Sequence, residues 1–327
     1  MPRAAITNDF SWSKSRHEKL QECARAYYLY YYGSWGGWTA DAPKAVRELY
    51  VLKKLGSRFA WAGSIVHDAV RDTLLDIRAG RPVDPAKVEA RALELMREDF
   101  RYSRGKGYWT QKHRKAFSGL VEHEYGEEVE AEAWKQNAET VRTALGWFFN
   151  SRWPALARAL KPVQWLEVDA GAEYSFFTLQ GIKAFAIPDF AYVDEDGCAV
   201  VVDWKTGKVR EGYDEQVLGY ALYVSQRYRL PLEKVRTALV YLNAGEEHEV
   251  RVDAAAMDNF LAHFTQSVER MRGLLANATS NIPRDESAFE RTGDLGTCAR
   301  CAFRRPCGRE AAAREAATAT ATAAKVA

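Results

Sequence analysis

The stretch Ala199-Val-Val-Val-Asp-Trp-Lys-Thr-Gly207 constrains this chain more than any other. Four consecutive apolar residues, Ala199 to Val202, predict a buried strand, and Gly207-Lys208 predicts the turn that ends it. Side chains alternate along a strand, so Asp203 and Lys205 share one face while Trp204 takes the other. A carboxylate beside an ammonium at a strand's end suits hydrolytic chemistry. The acid can hold a divalent cation, and the lysine can orient a water or offset charge building on a phosphate. Taken alone, Asp-x-Lys is more simply a surface ion pair beside a turn.

The surrounding sequence shifts that balance. Ala186-Ile-Pro-Asp-Phe-Ala-Tyr-Val193 predicts a second strand interrupted by one acid, Asp189, and Asp194-Glu-Asp-Gly197 supplies a polar hairpin turn. Antiparallel pairing would bring Asp189 and Asp203 together, and two converging carboxylates repel unless a cation sits between them. Downstream, Gln216-Val-Leu-Gly-Tyr220-Ala-Leu-Tyr223 predicts a helix with Gln216 and Tyr220 on one face. Together these motifs resemble the PD-(D/E)XK nuclease superfamily, and within it the RecB-like exonuclease branch. The signature of that branch is an acid, then Asp-x-Lys-Thr-Gly, then Gln-x-x-x-Tyr. An upstream Gly-x-x-x-His also belongs to it, matched here by Gly63-Ser-Ile-Val-His67. One departure stands out: Ile187-Pro188-Asp189 occupies the place where the branch often has Gly-x-(Ile/Val)-Asp.

The resemblance implies an α/β fold with a restriction-endonuclease-like core, in which a central mixed sheet is flanked by helices. It also implies a large helical insertion and an iron–sulfur region joining the N- and C-terminal segments. The expected organisation is an N-terminal helical segment at 1–58 carrying the first cluster cysteine, and a core at 59–79 and 163–276. The insertion is expected at 80–162, the cysteine region at 277–310 and a disordered Ala/Thr-rich tail at 311–327.

By the same resemblance the chain is a metal-dependent DNA exonuclease acting on single-stranded ends. His67, Asp189, Asp203 and the Trp204 backbone carbonyl would hold Mn²⁺ or Mg²⁺. Lys205 would position the water, and Gln216 and Tyr220 would orient substrate and lysine. A lone histidine on an apolar helix face is otherwise a core residue; the glycine spacing and the downstream acids favour a ligand, and imidazole suits transition ions. Glu167 or Glu173 would supply a further acid near the metal. Two other readings stay open: a nuclease subunit working with a helicase or with CRISPR adaptation proteins, and a non-catalytic DNA-end-binding iron–sulfur protein.

The second strong signal is Cys298-Ala-Arg-Cys301-Ala-Phe-Arg-Arg-Pro-Cys307. Three cysteines at this spacing need a fourth ligand, for which Cys23 and Cys198 compete. The AddB and CRISPR-associated members of the RecB-like branch hold a [4Fe–4S] cluster with one N-terminal cysteine and a C-terminal C-x2-C-x5-C, which implies Cys23 here. Cys198 opens the central strand and reads as a small core residue. Structural zinc is the rival, because spacing does not identify the metal.

Five cysteines in 327 residues do not make a secreted disulfide scaffold, and no apolar run reaches membrane-span length, so a cytoplasmic setting is expected. The net charge is only +2, so DNA would have to be met by local patches. The best of these runs from Arg101 through Arg104, Lys106, Lys112 and Arg114 to Lys115, with no acid among them, and Arg304 and Arg305 add a second. A solvated basic face is the alternative. Glu122 to Glu132 reads as a solvated acidic helix face, and residues 9–32 as one helix whose tyrosines pack the core or stack bases.

Overall fold

The computed structural model describes residues 7–110, 119–169, 175–209 and 213–316. The chain divides into two compact units. One comprises Arg58–Arg101 and Glu128–Thr265; the other comprises Met1–Ser57, Tyr102–Glu127 and Gln266–Ala327. The stretch 80–162, expected as a single insertion, is therefore shared out, with 102–127 joining the terminal segments.

The first unit is built on a five-stranded mixed sheet in the order Trp165–Glu167, Phe190–Val193, Ala199–Lys205, Val235–Tyr241, Glu246–Val250. The predicted hairpin is present: Phe190 pairs with Val202 and Val193 with Ala199, antiparallel. On its other side Ala199–Lys205 pairs in parallel with Val235–Tyr241. Parallel neighbours need a crossover, and helix Tyr213–Tyr228 lies between these strands in the sequence. This makes Ala199–Lys205 a central strand, which explains its unbroken apolar run. Trp204 is buried on one face against Trp153 at 5.1 Å and Phe148 at 5.7 Å. Those rings come from helices Trp153–Ala159 and Ala131–Asn150, so this sheet face is covered by helix. A separate hairpin pairs Phe176–Leu179 with Ile182–Phe185 through Gln180-Gly181, both at positive φ, as a two-residue turn requires.

The other unit is held together by residues distant in sequence. Leu29, Leu49, Leu52, Leu55, Tyr108, Val121, Tyr125 and Phe303 share one apolar core. The helix expected over 9–32 is interrupted. Lys14–Glu22 ends at Cys23, which is extended, and Ala24–Tyr28 restarts after it. Local propensity does not ask for this break. It is drawn by long-range bonds from Arg25, whose amide donates to the Glu290 carbonyl at 3.0 Å and whose Nε donates to the Phe289 carbonyl at 2.9 Å. Tyr27 and Tyr32 are buried around the Arg16 guanidinium, to which they offer their hydroxyls at 3.2 Å, so these rings pack the core.

The acidic stretch is likewise not solvated throughout. Glu122 and Glu124 are buried, and Glu124 accepts from Tyr108 Oη at 2.9 Å, Trp109 Nε1 at 2.8 Å and Arg305 Nη1 at 2.8 Å. Burial would push this carboxyl up, but the three hydrogen bonds outweigh it and hold Glu124 below its ordinary range. Residues 310–316 are helical and Ala313 is buried, so the start of the Ala/Thr-rich tail is ordered rather than disordered from 311. The rest of that tail lies outside the described residues.

Candidate active site

Four segments of the sheet unit bring their side chains to the C-terminal end of the central strand. Asp203 and Lys205 come from the strand itself, and alternation sets both on the face opposite Trp204. Asp203 is 2% exposed, and its Oδ2 lies 2.5 Å from Lys205 Nζ in an ion pair that falls outside hydrogen-bond geometry. Asp189 precedes the neighbouring strand. Its Oδ2 accepts the Trp204 amide at 2.8 Å and its Oδ1 meets His67 Nδ1 at 3.1 Å. His67 arrives from the middle of helix Arg58–Arg78. From helix Tyr213–Tyr228, Gln216 accepts Lys205 Nζ at 2.9 Å and donates through Nε2 to Tyr220 Oη at 2.6 Å.

Gly63 lets that helix approach. A Cβ there would come within 3.1 Å of Thr206 Oγ1, just past the catalytic-type Asp-x-Lys. Glycine therefore has a steric reason at its place in Gly-x-x-x-His.

The electrostatics follow from crowding acids into a covered place. Burial comes first, and the Asp189 charge adds to it, so that Asp203 is pushed up to about 6 despite Lys205 and His67. Burial alone would lower His67, but the Asp189 carboxylate, with help from Asp203, raises it to about 9. Tyr220 is driven well above its ordinary value by burial and then by Asp203 and Asp189. The acids are thus balanced by protein cations, His67 and Lys205. As the side chains stand, no three His, Cys, Asp or Glu among the described residues are grouped to hold a metal ion. The donor chemistry nonetheless fits one. A buried carboxylate oxygen without a hydrogen bond, a second carboxylate and an imidazole form a set that suits a hard or borderline divalent cation.

Two neighbours of the site were missed from sequence. Tyr213 carries the Lys205 ammonium 4.2 Å above its ring centroid. It stands three residues before Gln216 on the same helix, and that helical spacing is the signal that would have found it. Asp169 follows the edge strand, donates its amide to the Asp189 carbonyl at 3.2 Å and raises Tyr220, and lies 3.4 Å from Arg71 Nη1. Glu167 is buried and held by Tyr223 and Tyr228 hydroxyls at 2.7 and 2.8 Å, so it serves the core. Glu173 lies outside the described residues.

In the other unit, none of the four cysteines of the expected cluster forms a disulfide. Burial raises Cys298, Cys301 and Cys307 above the ordinary thiol range, and Cys23 contributes to all three, so the four are electrostatic neighbours. The Phe303 amide donates to Cys301 Sγ at 3.4 Å. Cys198 sits in the sheet unit, buried at the head of the central strand.

The basic residues fare unevenly. Arg304 is 6% exposed, bonded to the Ala299 carbonyl and to Glu127, and stacked 3.7 Å over the Tyr125 ring. Its guanidinium is committed inside the protein, contrary to the expected phosphate contact. Arg305 is shared between Glu124 and Glu310. Lys106 donates to the Glu124 carbonyl at 2.8 Å, and Arg101 pairs with Glu94 at 3.2 Å on an exposed face, where Arg104 is also exposed. Lys112, Arg114 and Lys115 lie outside the described residues. No helix among the described residues is long and apolar enough to cross a membrane.

No curated protein matches the chain. The family model of the PD-(D/E)XK nuclease superfamily matches residues 11–308, which takes in the acid, the Asp-x-Lys strand, the Gln216 helix and Cys23, Cys298, Cys301 and Cys307. With nearly its whole length matched, the chain belongs to the PD-(D/E)XK nuclease superfamily.

Proposed function

We propose that the protein is a metal-dependent DNA exonuclease of the RecB-like branch, acting on single-stranded ends. The observation that carries this reading is the convergence of Asp189, Asp203 and His67 beside Lys205 at one strand end. Asp189, Asp203, His67 and the Trp204 carbonyl would hold Mn²⁺ or Mg²⁺. Such a cation, when bound, polarises the phosphate and makes the attacking water more acidic. Lys205 then turns from Asp203 toward the water or the phosphate oxygens, carrying a positive charge to where negative charge develops. Gln216 fixes the direction of that ammonium, and the Tyr220 hydroxyl fixes Gln216 in turn. Tyr220 keeps its proton at any working pH, because burial and the two carboxylates hold it far above its ordinary value.

In the same reading Cys23, Cys298, Cys301 and Cys307 bind a [4Fe–4S] cluster whose role is structural, clasping the two ends of the chain. Support comes from the influence of Cys23 on the three C-terminal thiols and from its extended backbone between two helices. The decisive experiment incubates the purified protein with end-labelled single-stranded and duplex DNA, with Mn²⁺, Mg²⁺ or chelator. Stepwise shortening of the single strand only with metal is expected. Absence of cleavage under all conditions sinks the reading.

A further inference from the structure

Phe59, Gly63 and His67 follow one i, i+4 ridge of helix Arg58–Arg78. Phe59 rises from that ridge with 64% of its surface exposed. Single exposed apolar residues are ordinary, but this one is held. The Arg58 guanidinium lies 3.9 Å from the ring centroid. That guanidinium is fixed in turn by helix Ala131–Asn150. Arg58 Nη1 donates to Asn137 Oδ1 at 2.9 Å and to the Ala133 carbonyl at 3.2 Å, and Asn137 Nδ2 donates back to the Arg58 carbonyl at 3.3 Å. Asn137 is buried, so an interior amide is committed to keeping one arginine against one exposed ring. Between Phe59 and His67 the ridge bears only Gly63, which adds no side chain of its own; Thr206 Oγ1 lies 3.1 Å from where its Cβ would stand.

We propose that Phe59 is a stacking platform for a base of the DNA strand whose phosphate lies at His67, Asp189 and Asp203; this rests on the nuclease reading above. Every base has a π-face, so a clamped ring holds an unpaired strand without reading its sequence. Fixing the ring in advance leaves less motion to lose on binding. Eight residues of helix span about 12 Å, so the stacked base belongs to a neighbouring nucleotide rather than to the one being cut. A base inside a duplex has both faces covered by its neighbours and cannot use the ring. The platform therefore selects unpaired DNA next to the cleaved bond.

The test compares Phe59→Ala and Phe59→Trp with the parent on single-stranded oligonucleotides in Mn²⁺. Phe59→Ala should raise KM about tenfold with kcat unchanged, and Phe59→Trp should restore the parent KM. In an Asp203→Asn background, which holds substrate uncut, 2-aminopurine is scanned along the oligonucleotide. One position should show stacking quench that Phe59→Ala abolishes and Phe59→Trp keeps. An unchanged KM in Phe59→Ala, or no position whose quench depends on residue 59, overturns the platform while leaving the nuclease reading intact. A parent that neither cleaves nor binds the oligonucleotide overturns the nuclease reading, and the platform with it.

Discussion

His67 Nδ1 meets Asp189 Oδ1 at 3.1 Å across 122 residues of sequence. The contact joins the nitrogen donor and one oxygen donor of the candidate metal site. Imidazole favours transition ions over Mg²⁺. Replacing His67 with Ala should therefore weaken activation by Mn²⁺ about tenfold or more while changing activation by Mg²⁺ less. Metal titrations of cleavage rate measure both. Equal losses for the two ions would remove His67 from the ligand set.

Asp203 is held at about 6 by burial and by Asp189, against an ordinary value near 3.9. Keeping it ionised at neutral pH therefore works against folding. Asp203→Asn should thus abolish cleavage yet make the chelator-treated protein more stable, and denaturant unfolding in EDTA reads the difference. A less stable Asn variant contradicts this account of the site.

Among the described residues Lys205 has three partners: Asp203, Gln216 and the face of Tyr213. Lys205→Met should lower kcat by at least about a hundredfold with little change in DNA affinity, a loss typical of a missing charge in the transition state. Gln216→Ala removes only the guide and should cost about tenfold. Single-turnover rates alongside filter binding separate the two effects, and a Lys205→Met protein with parental kcat would exclude the role.

Protein purified without oxygen should be brown, with broad visible absorbance that Cys298→Ser and Cys23→Ser both lose. Metal analysis decides between rivals: iron and sulfide in about equal amounts are expected for a [4Fe–4S] cluster. A colourless preparation with stoichiometric zinc would replace the cluster by a zinc site.

Glu124 ties Tyr108 and Trp109 to Arg305 from a buried position. Breaking a buried pair by removing one charge costs about 3 kcal/mol, and Glu124→Gln should destabilise the protein by that order. The carboxyl is held below its ordinary range, so its contribution is present above about pH 4.3 and lost as pH falls through the lower folded value. The gap in stability between parent and variant should therefore narrow as the medium is acidified. A gap independent of pH would show that geometry, not charge, is what the variant loses.

Much of the site was legible because it depends on local periodicity. The run Ala199 to Val202 announces a covered strand, alternation puts Asp203 beside Lys205, and the Asp194–Gly197 turn sets the register that brings Asp189 alongside. Helical spacing likewise pairs Gln216 with Tyr220. What stayed hidden was every feature settled by contacts between distant segments. Cys23 breaks a helix because Arg25 is bound to Phe289 and Glu290. Arg304 is taken by Glu127, and Glu124 is buried by Arg305 and two aromatic side chains. The clamp on Phe59 needs Asn137 from another helix.

Sequence alone determined which residues could share a strand face or a helix face, since those periods are properties of the backbone. Only the tertiary structure decided which charges are buried and which partners they keep. Desolvation and pairing depend on what the rest of the chain brings to within a few ångströms, and no local pattern records that.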